Sequence, residues 1–497
     1  MMGVVRNSVF LLGAAMLSLG VVLHLPMLAN DLVTGRHLMA MAFDRGMIIG
    51  MGMILAGTLI AGAGLWRPVP SDAAPVGVKP PVRIGAHHWL LIAALVAVLV
   101  VDTMKPATLG FVVPGMSMEY GLPRSQVAWL PFAALTGTTV GSVLWGWFAD
   151  HQGRRAAILL STLIFIGTAI CGAMPGFGWN IFMCFLMGAS AGGLLPVAYA
   201  LLTELLPLKR RGFFLVLVGG LGSAGGFFAA SGFAALLEPV YGWRVLWLIG
   251  LPTGIVVLFL SLWLPESPAY LARVGRLADA RASVAHYGGT LTENPHADDL
   301  HEAIESGFGR RSITLLVLVG LIWGLTNFGF LLWLPTMLNV EGVGVGTSSG
   351  LLAASSFVAF LTILPATYLY QRLGGASAIV AALVATALGL ALIALMGPHP
   401  AGILLLLVGV NAVIAMLLPY AAECSPARSR GRAVGWVAAG SKAGGLVAQA
   451  ATLLGLAPSA EAATVVILIP LTGLIGWMVV ARRASARGDH PGTVEYT

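Results

Sequence analysis

Apolar and polar residues come in long blocks along this chain, not in residue-by-residue alternation. The apolar blocks are about 20 residues long, which spans a bilayer core of ~30 Å as a helix. Two open the sequence, near 8–29 and 45–66, with a short loop from Asn30 to Asp44 between them. A stretch from Arg67 to His88 follows, holding Pro68, Pro70, Pro75, Pro80 and Pro81, and its proline spacing predicts an extended linker. Six blocks come next, near 89–113, 125–148, 157–175, 180–206, 213–236 and 244–264. After a polar interval, six more lie near 312–336, 347–370, 377–396, 401–424, 433–456 and 463–481. The pattern predicts an all-α membrane protein of fourteen spans. Its parts are an N-terminal transmembrane hairpin (1–66), the linker (67–88), a six-helix bundle (89–264), a central loop (265–311), a second six-helix bundle (312–483) and a tail (484–497).

Basic residues set the orientation. Arg154, Arg155, Lys209, Arg210, Arg211, Arg273, Arg276, Arg281, Arg310, Arg311, Arg372, Arg428, Arg430, Arg432, Arg482, Arg483 and Arg487 fall on one side of the spans, with Arg67, Lys79 and Arg83. The opposite loops hold Arg36, Arg45, Arg124 and Arg244. Because positive loops stay inside, both termini and the central loop are expected in the cytoplasm, with the protein in the inner membrane.

Composition agrees. Hydrophobic residues make up 58% of the chain and charged residues 9%, against about a quarter in a soluble domain. The net charge of +7 comes from these loop clusters, so a nucleic-acid partner is not expected. Cys171, Cys184 and Cys424 have no CxxC spacing and suggest neither a disulfide framework nor a zinc site. No G-x-x-x-x-G-K-[ST] segment is present, so no nucleotide is expected, and no nucleophile–base set points to an enzyme. No cofactor is expected.

An internal repeat orders the two bundles. Glu204-Leu-Leu-Pro207-Leu-Lys209-Arg-Arg211-Gly212 recurs as Glu423-Cys-Ser-Pro426-Ala-Arg428-Ser-Arg430-Gly431, and Gly225-Gly226 as Gly444-Gly445. Pro114 and Gly153 likewise match Pro335 and Gly374. Parallel halves of this kind hold substrate near the midplane, between them.

The loop Gly146-Trp-Phe-Ala-Asp150-His-Gln-Gly153-Arg154-Arg155 resembles the G-x-x-x-D-x-x-G-R-[KR] signature of the major facilitator superfamily. That resemblance implies a 6+6 transporter in which Gly146, Asp150, Gly153, Arg154 and Arg155, with the repeat residues Glu204, Arg211, Glu423 and Arg430, form a cytoplasmic gate between the halves. The second copy, Gln371-Arg372-Leu373-Gly374-Gly375, lacks the acid. Trp243-Arg244, Pro265-Glu266-Ser267-Pro268 and Trp333-Leu-Pro335-Thr336 resemble elements of the sugar-porter and metabolite:proton symporter branches. Ser267 is predicted to cap a helix that Pro268 starts.

The first core span carries Asp102-Thr-Met-Lys105, similar to the D-G-[YF]-D segment of aromatic-acid symporters, with Lys105 in place of the second acid. Cys184 stands where many relatives keep an Arg. Charges inside a bilayer are costly and mark working sites. Asp102 and Lys105 are expected to share a helix face and to pair, forming with Lys442, Gln449, Asn327 and Asn411 a central substrate and proton site. Trp323, Trp333 and Tyr199 are candidate aromatic walls. The expected partners are a small metabolite, a carboxylate anion above all, protons and the bilayer. Proton-driven efflux is the alternative within transport. A sensor or metal-linked role for the Met- and His-rich hairpin (His24, Met27, His37, Met39, Met41, Met47, Met51, Met53) is the alternative outside it, although no metal-ligand motif is present. Residues 1–29 also have the outline of a signal peptide.

Overall fold

The computed structural model describes residues 2–26, 45–66, 77–174, 176–261, 263–292, 310–423 and 430–456, with 459, 462–466, 468, 469, 471–473 and 475 beyond them. Parts of the hairpin loop, the linker and the central loop, the Cys424–Arg428 segment and the C-terminal tail lie outside these residues. Helices α1 (Met2–Val22) and α2 (Arg45–Leu65) pack on each other, and both touch α5. Then come α3 (Ala86–Tyr120), α4 (Trp129–Gln152), α5 (Arg154–Gly167), α6 (Phe177–Ala191), α7 (Leu194–Leu205), α8 (Arg211–Tyr241) and α9 (Gly250–Ser261). Two short helices follow, α10 (Pro268–Arg273) and α11 (Leu277–His286). The second half holds α12 (Arg310–Gly324), α13 (Leu334–Val340), α14 (Val345–Leu373), α15 (Gly375–Met396), α16 (Pro400–Glu423) and α17 (Arg430–Leu453).

Ten helices among the described residues are long and apolar enough to cross a membrane, where the sequence pattern predicts fourteen. Ser8–Val22, Val245–Ser261 and Ala462–Gly473 are apolar but shorter. The helix Arg430–Leu453 is long, and Ser441, Lys442 and Gln449 lower its apolar character. Ser441 and Gln449 are buried and Lys442 lines a cavity, so all three polar groups are turned toward the protein interior.

The halves meet along α3, α4 and α8 of the first and α13, α14, α16 and α17 of the second. Small residues let the backbones approach. Gly222 and Gly226 of α8 leave room for Leu99, Thr103 and Met104 of α3, while Gly220 and Gly225 receive Ile363 and Phe360 of α14. Between α12 and α13 the chain loosens into a π-helical turn (Leu325–Phe330) and a 3₁₀ turn (Leu331–Trp333). Such turns free carbonyls and re-aim side chains. Pro106 does the same in α3, since it has no N–H to offer the carbonyl of Asp102 four residues earlier.

A two-stranded antiparallel clip joins β1 (Gly77–Lys79), ahead of α3, to β2 (Thr290–Thr292), after α11. Beside it the His87 and His286 rings sit 3.9 Å apart, and His88 accepts from Gly85 N–H at 3.0 Å.

Candidate functional site

A cavity of about 250 Å³ lies between the halves, just below the ~300–1,000 Å³ typical of ligand pockets. Asp102, Asn327, Asn411 and Lys442 all line it, as do Trp323 and Tyr199. Phe111, Phe227 and Phe328 complete a mostly aromatic and aliphatic wall. The Trp323 indole is held by a hydrogen bond to the carbonyl of Val410 at 2.8 Å.

Charge of both signs meets in this space. Asp102 is 6% exposed, and its Oδ1 has no hydrogen-bond partner among the described residues. The lysine that lines the same cavity is Lys442, from the other half. Lys442 in turn donates to Ser142 Oγ of α4, which passes a hydrogen bond to the carbonyl of Gly192 at 2.6 Å. Asn411 also bridges the halves, accepting from Ser223 at 2.9 Å while its amide donates to Leu407 O.

Two expected members lie elsewhere. Lys105 does not pair with Asp102. Its ammonium donates to the Phe165 carbonyl and to Thr168 Oγ1 (2.6 Å), lies over the Phe165 ring, and packs against Gly250. The cavity stripe on α3 runs through Leu99, Asp102, Thr103, Pro106, Ala107 and Gly110. At about 100° per residue that stripe centres on the far side of Asp102 from Lys105. Lys105 therefore points into the first bundle, where it ties down the point at which α5 tightens into a 3₁₀ turn over Thr168–Ala173. The buried thiols of Cys171 and Cys184 lie close by.

Gln449 also misses the cavity. Between Lys442 and Gln449, Gly445 is covered by the Phe328 ring and by Leu135, which close the space at that level. Beyond this seal the Gln449 amide donates to the carbonyl of Phe328 and so holds the π-helical turn. Trp333 is buried outside the cavity.

The signature loop forms a compact network. Gly153 has φ +102°, a conformation open to glycine, and a Cβ there would meet the Glu266 carboxylate. Glu266 accepts from the backbone N–H of Arg154 (2.7 Å), Arg155 (3.3 Å) and Ser267 (2.9 Å), placing an anion at the start of α5. Burial pushes the Glu266 carboxyl up from its ordinary value, against those bonds and the Arg154 charge. Arg154 pairs with Asp150 at 3.0 Å and lies 3.9 Å from Glu204, while Arg155 donates to Ser261 O at 3.0 Å. Glu204 accepts from Ser267 Oγ at 2.5 Å, and Ser267 caps α10 by accepting from Tyr270 N–H, with Pro268 opening that helix as expected.

These partners all belong to the first half and the segment following it, so the bonds named do not latch one half to the other. Gly146 faces open space, and no close approach is made there. The contact between halves at this face comes from the repeat acid instead. Glu423 accepts from Tyr370 OH at 2.7 Å and abuts Gly212, one residue after Arg211 opens α8. The side chain of Arg430 lies outside the described residues.

Comparison with known proteins agrees with this architecture. Residues 90–449 match the family model described as Major Facilitator Superfamily. The chain is 27% identical to a niacin transporter of Acinetobacter baylyi, over 73% of this chain and 86% of that one. It is 25% identical to a 4-hydroxybenzoate transporter of Pseudomonas putida, over 78% and 91%. A partially occluded inward-open structure of the E. coli xylose transporter XylE superposes with a TM-score of 0.62 at 15% identity, over 78% of this chain and 97% of that one. That likeness concerns the fold alone. With two repeated halves, a cavity between them and a family match over most of its length, the chain belongs to the Major Facilitator Superfamily and is a membrane transporter, not an enzyme.

Proposed function

We propose that this transporter carries a small aromatic or heteroaromatic carboxylate across the inner membrane by alternating access, coupled to a proton. The observation that carries the reading is that Asp102 and Lys442, one from each half, line the same cavity, which is walled by aromatic rings. Niacin and 4-hydroxybenzoate, the substrates in the names of two relatives, are planar acids of this kind. Lys442 receives the carboxylate, and Trp323, Phe227 and Phe328 flank the ring. An anion docked on Lys442 leaves two negative charges beside one cation, and protonation of Asp102 restores neutrality. Anion and proton thus enter together. Asn327 and Asn411 supply the remaining polar contacts, and the Glu423–Tyr370 contact against Gly212 gates the loop face, beside a first half braced by the Asp150–Arg154–Glu204 network. The fourteen-span topology, with both termini in the cytoplasm and α1–α2 as an added transmembrane hairpin, belongs to the same proposal.

The test is uptake of labelled nicotinate and 4-hydroxybenzoate into proteoliposomes under an imposed pH gradient. Asp102→Asn is expected to keep counterflow and lose gradient-driven accumulation. Lys442→Gln is expected to weaken binding about tenfold or more, the cost of a lost charge-assisted bond. Normal binding by Lys442→Gln, or gradient-driven accumulation by Asp102→Asn, refutes the mechanism.

A further inference from the structure

At the face opposite the signature loop, three hydrogen-bond donors without an acceptor come together where the halves meet. Arg124, in the short helical turn Arg124–Val127 ahead of α4, sits over the Trp333 ring of the second half, 4.5 Å from its centroid. Its Nε and Nη2 are buried and have no partner among the described residues. The Trp333 indole N–H is in the same condition. So is the Thr336 hydroxyl, one turn further along on the same helix face.

Thr336 stands out among the threonines. Thr58, Thr108, Thr136, Thr253, Thr367 and Thr386 each return their hydroxyl to the carbonyl four residues back. For Thr336 that carbonyl is Leu332 O, which faces Gly110 of α3 instead.

Buried donors left unsatisfied are costly and call for an acceptor. Three donors with no carboxylate among them select an anion. The guanidinium lies over the indole face, and its fork suits the two oxygens of a carboxylate at the edge of that ring, where the N–H is presented. A lipid phosphate is a poor match, because the free guanidinium atoms are shielded from the surroundings of the protein. The neighbours Leu331, Leu332 and Pro335 line the central cavity, so the donors stand directly beyond its wall.

We infer that Arg124, Trp333 and Thr336 form a second anion site, an outer station that holds the substrate carboxylate at the mouth before it passes to Lys442. The inference rests on the carboxylate reading above and on the outward orientation of this face. Because Arg124 and Trp333 come from different halves, an anion drawn to the guanidinium also competes with the stack that joins them.

The test is sided. Transport of labelled nicotinate is measured from each face of oriented vesicles. Arg124→Gln is expected to raise the outer half-saturation about tenfold, with the maximal rate and the inner half-saturation within twofold of wild type. Thr336→Val is expected to raise the outer value a few-fold. Arg124→Lys, which keeps the charge and loses the fork, falls between wild type and Arg124→Gln. Competition by nicotinamide, which has the same ring without the charge, is expected to be the same in wild type and Arg124→Gln. An equal rise at both faces, or an unchanged outer value in Arg124→Gln and Thr336→Val, overturns the station and leaves the central site standing. Should Arg124→Gln not fold, the outer values of Arg124→Lys and Thr336→Val decide the matter. If the wild-type protein moves neither nicotinate nor 4-hydroxybenzoate, the carboxylate reading falls and the station with it.

Discussion

The two glycines of the signature loop make opposite predictions. Gly153 lies at φ +102° and ψ 156°, a region that side-chain-bearing residues adopt at a cost of about 1–3 kcal/mol. A methyl group there would also push on Glu266, whose Cδ would lie 2.7 Å away. Displacing that carboxylate removes the cap of α5, worth ~0.5–2 kcal/mol. Gly153→Ala is therefore expected to cost about 2–4 kcal/mol, which lowers the apparent melting temperature of a chain this long by roughly 2–4 °C. Gly146 lies inside α4 with nothing near its missing side chain. Gly146→Ala is expected to be neutral, or to raise stability by up to ~1 kcal/mol through helix propensity. Both are measured by thermal unfolding of purified protein in one detergent. If Gly146→Ala is as damaging as Gly153→Ala, helix contacts and not backbone geometry explain the motif, and the reasoning fails.

Lys105→Met is expected to leave nicotinate affinity within twofold of wild type in equilibrium binding, with a fall of a few degrees in melting temperature as Phe165 O and Thr168 lose their donor; loss of binding would return Lys105 to the substrate site. Glu266→Gln tests the sign of a buried acid. Burial raises the Glu266 carboxyl above 4.5, so its contribution to stability is present below that value and is lost as pH rises through the raised folded value. Wild-type melting temperature should fall across that window and the Gln variant should fall less; equal slopes would show that another group sets the dependence.

Much of the architecture could be read before any coordinates. The repeat beginning at Glu204 and Glu423 orders the halves, and Asp102, Asn327, Asn411 and Lys442, each a polar side chain inside an apolar block, line the cavity between them. Lys105 and Gln449 show where that logic ends. Three residues on a helix bring side chains near one another, but the neighbouring helices decide which of them faces the cavity. For Gln449, the face was right and the level was not, because Phe328 and Leu135 close the space in between. Of the Met- and His-rich set, His24, Met47, Met51 and Met53 are described, and His24 bonds the Gly20 carbonyl at 2.8 Å; Met27, His37, Met39 and Met41 lie outside the described residues. The meeting of Arg124 and Trp333 is not legible in the sequence, since it depends on how two halves far apart along the chain dock on each other.

The pairing of Gly77–Lys79 with Thr290–Thr292 bears on how the protein is made. The earlier strand leaves the ribosome first and has no partner until the whole first bundle has followed it. Closing so long a loop adds little entropy beyond that of a shorter one. The clip can form as soon as both strands have been made, and it joins the chain ahead of α3 to the chain after α11, so that the first bundle and the two short helices are closed into one loop pinned at both ends.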